Sequence, residues 1–168
     1  MKSQNIVKTQ QEIDKRLNAL AEQINHDYKD LSLDLVCLLN GASTFCSDLI
    51  RKLTIPVKIH QIGFSSYPNG SKSGEVRITL DITQPLENCH VLMLEGVIVS
   101  GRTPHYIYEY LKLRKPSSIE ICAFGKKPDV LAVDLPIKYA AFEFGSEVIV
   151  GYGMGDLEKS LPYIINRS

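Results

Sequence analysis

At 168 residues the chain has room for one domain with a substantial core, but not for two of comfortable size. Its 44% hydrophobic and 23% charged content fits a folded globular protein and excludes a disordered chain. Nineteen basic and nineteen acidic side chains cancel, so no global field recruits nucleic acid or a membrane surface, and an anion has to be caught locally.

The first residues, MKSQNIVKTQQEIDKRL, are polar and lack the apolar stretch of a secretory signal. No window approaches the roughly 18 apolar residues of a membrane span. Cys37, Cys46, Cys89 and Cys122 are scattered without a metal-ligand spacing. These features predict a cytoplasmic protein with reduced thiols in or near its core.

Ile13, Leu17, Leu20, Ala21 and Ile24 recur at three- and four-residue steps and predict an amphipathic first helix. Leu33 to Leu39, LDLVCLL, closed by Asn40-Gly41, reads as a buried strand. A helix is expected over about Ser43 to Leu53, then a strand over Val57 to Ile62. Ser65 to Gly74, SSYPNGSKSG, reads as a mobile loop or hairpin tip, with a strand resuming at Glu75 to Leu80. Val91 to Leu94 is the most apolar strand, and Thr103 to Leu113 its helix. Ile119 to Phe124 and Tyr139 to Phe144 are further apolar runs, followed by Val148-Ile149-Val150 and an irregular GYGMGDLEKSLPYI tail.

Buried strands alternating with helices predict one α/β domain over residues 1–168, with a mainly parallel sheet flanked by helices. Ligands of such sheets bind beyond the carboxyl ends of the strands. Each polar loop considered below leaves such an end.

The segment VLMLEGVIVSGRTP carries the densest signal. A strand runs through Ser100-Gly101-Arg102-Thr103 into a helix, supplying backbone N–H groups, two hydroxyls and a helix N-terminus for a phosphate. The same residue types also suit an ordinary strand–helix turn with a capping serine.

This segment resembles the phosphoribosyl-diphosphate loop of type I phosphoribosyltransferases, most closely the hypoxanthine-guanine enzymes, which typically read VLIVEDIIDTGxTL. SSYPNGSKSGEVRITLD is similar to the family's catalytic loop, and LVCLLNGASTFCSDLIRKL to its strand, pyrophosphate loop and helix. VDLPIKYAAFEFGSEVIVGYGMG and LPYI resemble its base-recognition and closing segments, so the likeness runs over about residues 10–165. The resemblance implies the type I fold with a small hood formed by chain-terminal segments. It also implies transfer of ribose 5-phosphate from phosphoribosyl diphosphate to a 6-oxopurine with Mg²⁺, giving IMP or GMP and pyrophosphate. Assembly as a homo-oligomer, a dimer or tetramer, is a further implication.

Residue by residue, the resemblance assigns the 5-phosphate to Val99, Ser100, Gly101, Arg102 and Thr103, and pyrophosphate to Leu39, Asn40 and Gly41. Glu95 matches the first carboxylate of an acidic pair that holds ribose hydroxyls and a metal shell. Ser66 and Tyr67 fall in the loop that closes during chemistry. Lys127 matches the lysine that donates to the purine 6-oxygen, favouring a carbonyl over an amino group there. Ile149 matches the residue whose backbone meets the base edge, and Val148 stands where an aromatic residue stacks on the purine.

Departures from the family pattern fall on charged positions. Gly96 replaces the second acid, Val99 the aspartate near purine N7, and Asn40 a common lysine. Gly155 stands where a metal-ligating aspartate is usual, with Asp156 beside it as a substitute. Val130 and Leu131 occupy the zone of an arginine. Two functions follow: a purine salvage enzyme, or a weak or inactive paralogue that binds purine nucleotide or phosphoribosyl diphosphate as a sensor or partner subunit. For the enzyme, Val99→Asp is expected to raise turnover, and Gly96→Asp to add to it.

Overall fold

The protein is described by a computed structural model over residues 5–66, 76–155 and 160–167. The elements in chain order are β1 (Ile6–Lys8), α1 (Gln10–Asp27), β2 (Leu33–Leu39), α2 (Ser43–Ile50), β3 (Val57–Ser66), β4 (Val76–Leu80) and β5 (His90–Ile98). They continue with α3 (Arg102–Lys112), β6 (Ser118–Lys126), a 3-10 turn at Pro128–Val130, β7 (Ile137–Glu143), β8 (Ile149–Gly151) and β9 (Ile164–Asn166). α1 starts sharply because Thr9 and Glu12 form a reciprocal capping box, each side chain bonding the other's backbone N–H.

Six strands form one sheet in the order β4-β3-β2-β5-β6-β7. All neighbours are parallel except the edge hairpin β3-β4. Alternation along the central strands divides the core in two. Leu33, Leu35 and Cys37 of β2, Leu92 and Leu94 of β5, and Cys122 and Phe124 of β6 face α1 and α2. Val36, Leu38, Val91, Met93, Ile121 and Ala123 face α3 through Ile107 and Leu111. Both faces are covered, which is why these strands carry apolar residues on both sides over most of their length, and the buried Asp34 of β2 is paired with His60 at 2.7 Å. Cys37, Cys46 and Cys122 are buried and all four cysteines are free thiols.

β1, β9 and β8 make a second, antiparallel sheet of three strands from the two chain ends, matching the expected hood. β8 follows β7 closely, so this small sheet hangs over the carboxyl ends of β5 and β6. Arg16 ties α1 to the large sheet, its guanidinium donating to the carbonyls of Ala140 and Ala141 at 2.9 and 2.7 Å.

Several boundaries differ from the sequence expectation. α2 ends at Ile50 rather than Leu53, because Arg51 and Lys52 enter a turn that leads to β3. β5 runs on to Ile98 and β6 to Lys126, so Glu95 and Gly125-Lys126 are strand residues rather than loop residues. The helix after β5 begins one residue early, at Arg102. The polar N-terminus and the tail expected to be irregular each contribute a strand, β1 and β9. Tyr67 and Asp156 lie outside the described residues, as do most of the catalytic-loop segment (67–75) and residues 156–159.

Candidate active site

Three connections leave the carboxyl ends of β2, β5 and β6 and meet beneath the hood. After β5, Gly101 is the N-cap of α3 with φ of +78°, a conformation that L side chains rarely adopt. A Cβ there would also come within 3.0 Å of Leu131, Leu135 and Val133. The apolar residues where an arginine was sought therefore support the phosphate loop from behind, and the Ala132 N–H donates to the Ser100 carbonyl at 2.9 Å. Arg102 N–H leans on Ser100 Oγ at 3.5 Å. Among the described residues no backbone acceptor takes the N–H of Ser100, Gly101 or Thr103. Those free donors open a helix N-terminus and suit an anion. The capping role falls to Gly101 and not to a serine.

After β2 the chain turns through Asn40 and Gly41 into α2, and the Leu39–Asn40 peptide is cis. Ser43 N–H bonds the Asn40 carbonyl at 3.1 Å, which fixes the turn and leaves the Gly41 N–H without a backbone acceptor among the described residues. This loop sits hard against β5. A Cβ on Gly96 would lie 2.8 Å from the Gly41 oxygen and 3.0 Å from its carbon. A glycine at 96 thus suits the close turn, and the side chain of Gly96→Asp would have to displace the Gly41 carbonyl.

Glu95, Val97 and Val99 follow at two-residue steps and point to the same side of the strand. Glu95 Oε1 accepts the Gly96 N–H at 2.8 Å. Burial of its carboxyl, relieved only in part by that bond, pushes its pKa from 4.5 to about 7. No charged group contributes to the shift. After β6, Lys127 N–H bonds the Ile98 carbonyl at 2.9 Å and its Nζ donates to the Glu147 carbonyl at 2.6 Å. That contact sets the ammonium beside Val148 and Ile149 at the start of β8.

Two cavities share a wall. One of about 460 Å³ is lined by Lys127, Val148, Ile149, Gly153, Met154 and Gly155. The other, about 350 Å³, is lined by Leu39, Phe64, Ile98, Ser100, Gly101, Thr103 and Pro104. Asn40, Gly41, Glu95, Val97 and Val99 line both and form the junction. The structure so gathers twelve expected residues, including Gly155, around one continuous hollow. Arg102 is left out: its side chain is exposed, so only its N–H faces the loop. Ser66 ends β3, and its side chain is outside the described residues. Val97 and Met154 were missed. Val97 was readable as the strand partner of Glu95 two residues on, had β5 been extended past Leu94.

A larger hollow of about 620 Å³ lies between α1, α2 and residues 160–162. Its charges are already paired, Lys52 with Asp14 at 2.5 Å and Arg51 with Asp48, which leaves little to recognise a ligand.

Comparison with known proteins agrees with this geometry. The family described as "Phosphoribosyl transferase domain" matches residues 3–153. The chain belongs to the phosphoribosyltransferase family. Among its relatives, a hypoxanthine-guanine phosphoribosyltransferase of Dictyostelium discoideum is 36% identical over 96% of this chain and 94% of its own. Solved structures of the same fold include a hypoxanthine-guanine phosphoribosyltransferase of Bacillus anthracis, at TM-score 0.90 and 30% identity over 96% of this chain and 95% of that one. A hypoxanthine phosphoribosyltransferase of Staphylococcus aureus gives TM-score 0.91 and 34% identity over 96% and 90%.

For a phosphoribosyltransferase, the junction is where a metal-bound diphosphate would lie. Among the described residues no three His, Cys, Asp or Glu side chains gather as a metal group. Among the described residues Glu95 has no ion-pair partner and one oxygen without a hydrogen bond, which fits a Mg²⁺ held by a single carboxylate together with substrate oxygens and water. Among the described residues no helix is long and apolar enough to cross a membrane.

Proposed function

We propose that this phosphoribosyltransferase acts in purine salvage, moving ribose 5-phosphate from phosphoribosyl diphosphate to hypoxanthine or guanine and releasing pyrophosphate. The observation that carries this reading is the pair of joined cavities: free helix-terminal amides at one end, a lysine beside a strand edge at the other, and one carboxylate between.

In this reading the 5-phosphate sits on the N–H groups of residues 100–103, with the Ser100 and Thr103 hydroxyls adding donors. The diphosphate takes the Asn40 and Gly41 amides. Glu95 meets the ribose hydroxyls at the junction and carries the Mg²⁺, which when bound neutralises charge on the leaving diphosphate. As the anomeric carbon becomes cationic, the Glu95 carboxylate and the fixed backbone dipoles stabilise it without reorganising. Lys127 keeps its bond to Glu147 and has two further ammonium protons for the 6-oxygen of the base. Val148, half-exposed, and Met154 cover the ring faces with aliphatic surface. Ser66, at the end of β3, and Tyr67 belong to the segment that closes during chemistry, and Asp156 is a second metal ligand.

A cytoplasmic setting and assembly as a dimer or tetramer complete the proposal, the latter testable by light scattering. Turnover of hypoxanthine and guanine with phosphoribosyl diphosphate and Mg²⁺ tests the function. Formation of IMP or GMP with stoichiometric pyrophosphate is expected. Absence of product with both bases would overturn the reading, and nucleotide binding without product would favour the sensor.

A further inference from the structure

Joining a purine ring nitrogen to the anomeric carbon leaves one ring proton to be disposed of when the base arrives neutral. The base cavity is short of places to put it. Among its described lining residues only Asn40, Glu95 and Lys127 carry polar side-chain groups; the others are glycines and aliphatic residues. Glu95 belongs to the junction, also lines the phosphate cavity, and has one oxygen tied to its own strand through Gly96 N–H. Val99 stands half-exposed in the shared wall and presents methyl groups where a proton acceptor would be useful.

The charge of the base end points the same way. Lys127 Nζ is held by a neutral carbonyl, that of Glu147, and among the described residues no carboxylate forms an ion pair with it. The Glu147 carboxyl feels the Lys127 charge but is not ion-paired with it, so the ammonium remains available to attract an anion. Val99 offers a neutral ring N–H no acceptor, so its proton has only the solvent at this half-exposed wall to go to.

We propose that this site takes its base as a heterocyclic anion, and so prefers 6-oxopurine analogues whose five-membered-ring N–H is acidic, such as 8-azaguanine and 8-azahypoxanthine, over guanine and hypoxanthine. The inference rests on the phosphoribosyl-transfer reading above. With the anion, the ring-nitrogen lone pair forms the C–N bond, the C–O bond to the diphosphate breaks, and its electron pair leaves with pyrophosphate. No proton moves. With a neutral base the same bonds change and the ring proton passes to solvent, which adds a step the protein does not assist.

The titratable groups at the base end are Glu95 from β5, Lys127 after β6 and, beside Lys127, the Glu147 carboxyl that feels its charge. Their ionisation, and that of the diphosphate, cancels in the ratio of kcat/KM for 8-azaguanine over guanine measured on one preparation. Across about pH 6 to about pH 9 this ratio is expected to exceed about tenfold near neutrality and to fall as guanine itself begins to ionise. Val99→Asp, at a half-exposed position that tolerates a charge, is expected to shrink the ratio at neutral pH by accelerating guanine. A ratio near or below one, or one independent of pH, would overturn the proposal and assign the proton to a protein group such as Glu95. If none of the four bases is turned over, the transferase reading itself fails and this inference with it. The two wild-type profiles decide the matter whether or not the variant folds.

Discussion

Glu95→Gln isolates the electrostatics of the junction. The carboxyl is raised from 4.5 to about 7 in the folded protein, because burial penalises its charge and only the Gly96 N–H compensates. In the unfolded chain it ionises near 4.5, whereas the folded chain holds its proton up to about 7. Below 4.5 both states are protonated and this contribution to stability is fully present. Between 4.5 and about 7 the unfolded state releases its proton first, so stability falls as pH rises, and above about 7 the loss is complete. At about 1.4 kcal/mol per pH unit, a displacement of roughly 2.5 units gives about 3 kcal/mol. Glutamine keeps the shape and the acceptor for Gly96 but never ionises. The variant should therefore match the wild type near pH 4.5 and exceed it by about 3 kcal/mol in unliganded protein near pH 8.5, or on the order of 10 °C in Tm. Urea unfolding of both proteins at the two pH values reads this, since the difference cancels every other titrating group. Parallel pH profiles would mean that the carboxylate is well hydrated and would refute the reasoning.

The other expectations concern single contacts in the two cavities. Lys127→Ala should lower kcat/KM for hypoxanthine and guanine about ten- to a hundredfold, the value of a charge-assisted hydrogen bond, while leaving phosphoribosyl diphosphate binding by calorimetry intact. Gly96→Asp should destabilise by about 1–3 kcal/mol and raise KM for phosphoribosyl diphosphate, because its Cβ must push the pyrophosphate loop away; thermal melts and steady-state kinetics read both effects. Gly101→Ala should weaken binding of a nucleoside monophosphate at least tenfold, since both the backbone conformation and Leu131 oppose the added methyl. Retention of wild-type affinity in a calorimetric titration would remove the phosphate from that loop.

The core of the large sheet was legible because its strands are buried on both faces. Leu33 to Leu39 is apolar at every position but Asp34, and its boundaries coincide with β2. β5 outruns the expected end at Leu94 for the opposite reason. Glu95 and Gly96 interrupt the apolar run, although the backbone stays extended to Ile98 to present Glu95, Val97 and Val99 to the cavity. β1 and β9, three residues each, are too short for a period to register, and they are held by pairing with each other across the length of the chain. The site residues were legible through motif resemblance, which marks positions but not neighbours. The approach of Gly41 to Gly96, between residues far apart in sequence, is invisible in either segment alone. So is the packing of Leu131 behind Gly101, which explains apolar residues that read as a defect in the motif.

A crystal structure with GMP bound tests the central claim most directly, because it asks whether the two cavities serve one nucleotide. The account places the phosphate within hydrogen-bonding distance of the N–H groups of residues 100–103. It places the ribose beside Glu95, and the guanine 6-oxygen on Lys127 Nζ with the ring edge along Ile149. A phosphate bound elsewhere, or a base outside the hollow lined by Lys127, Val148 and Ile149, would contradict it.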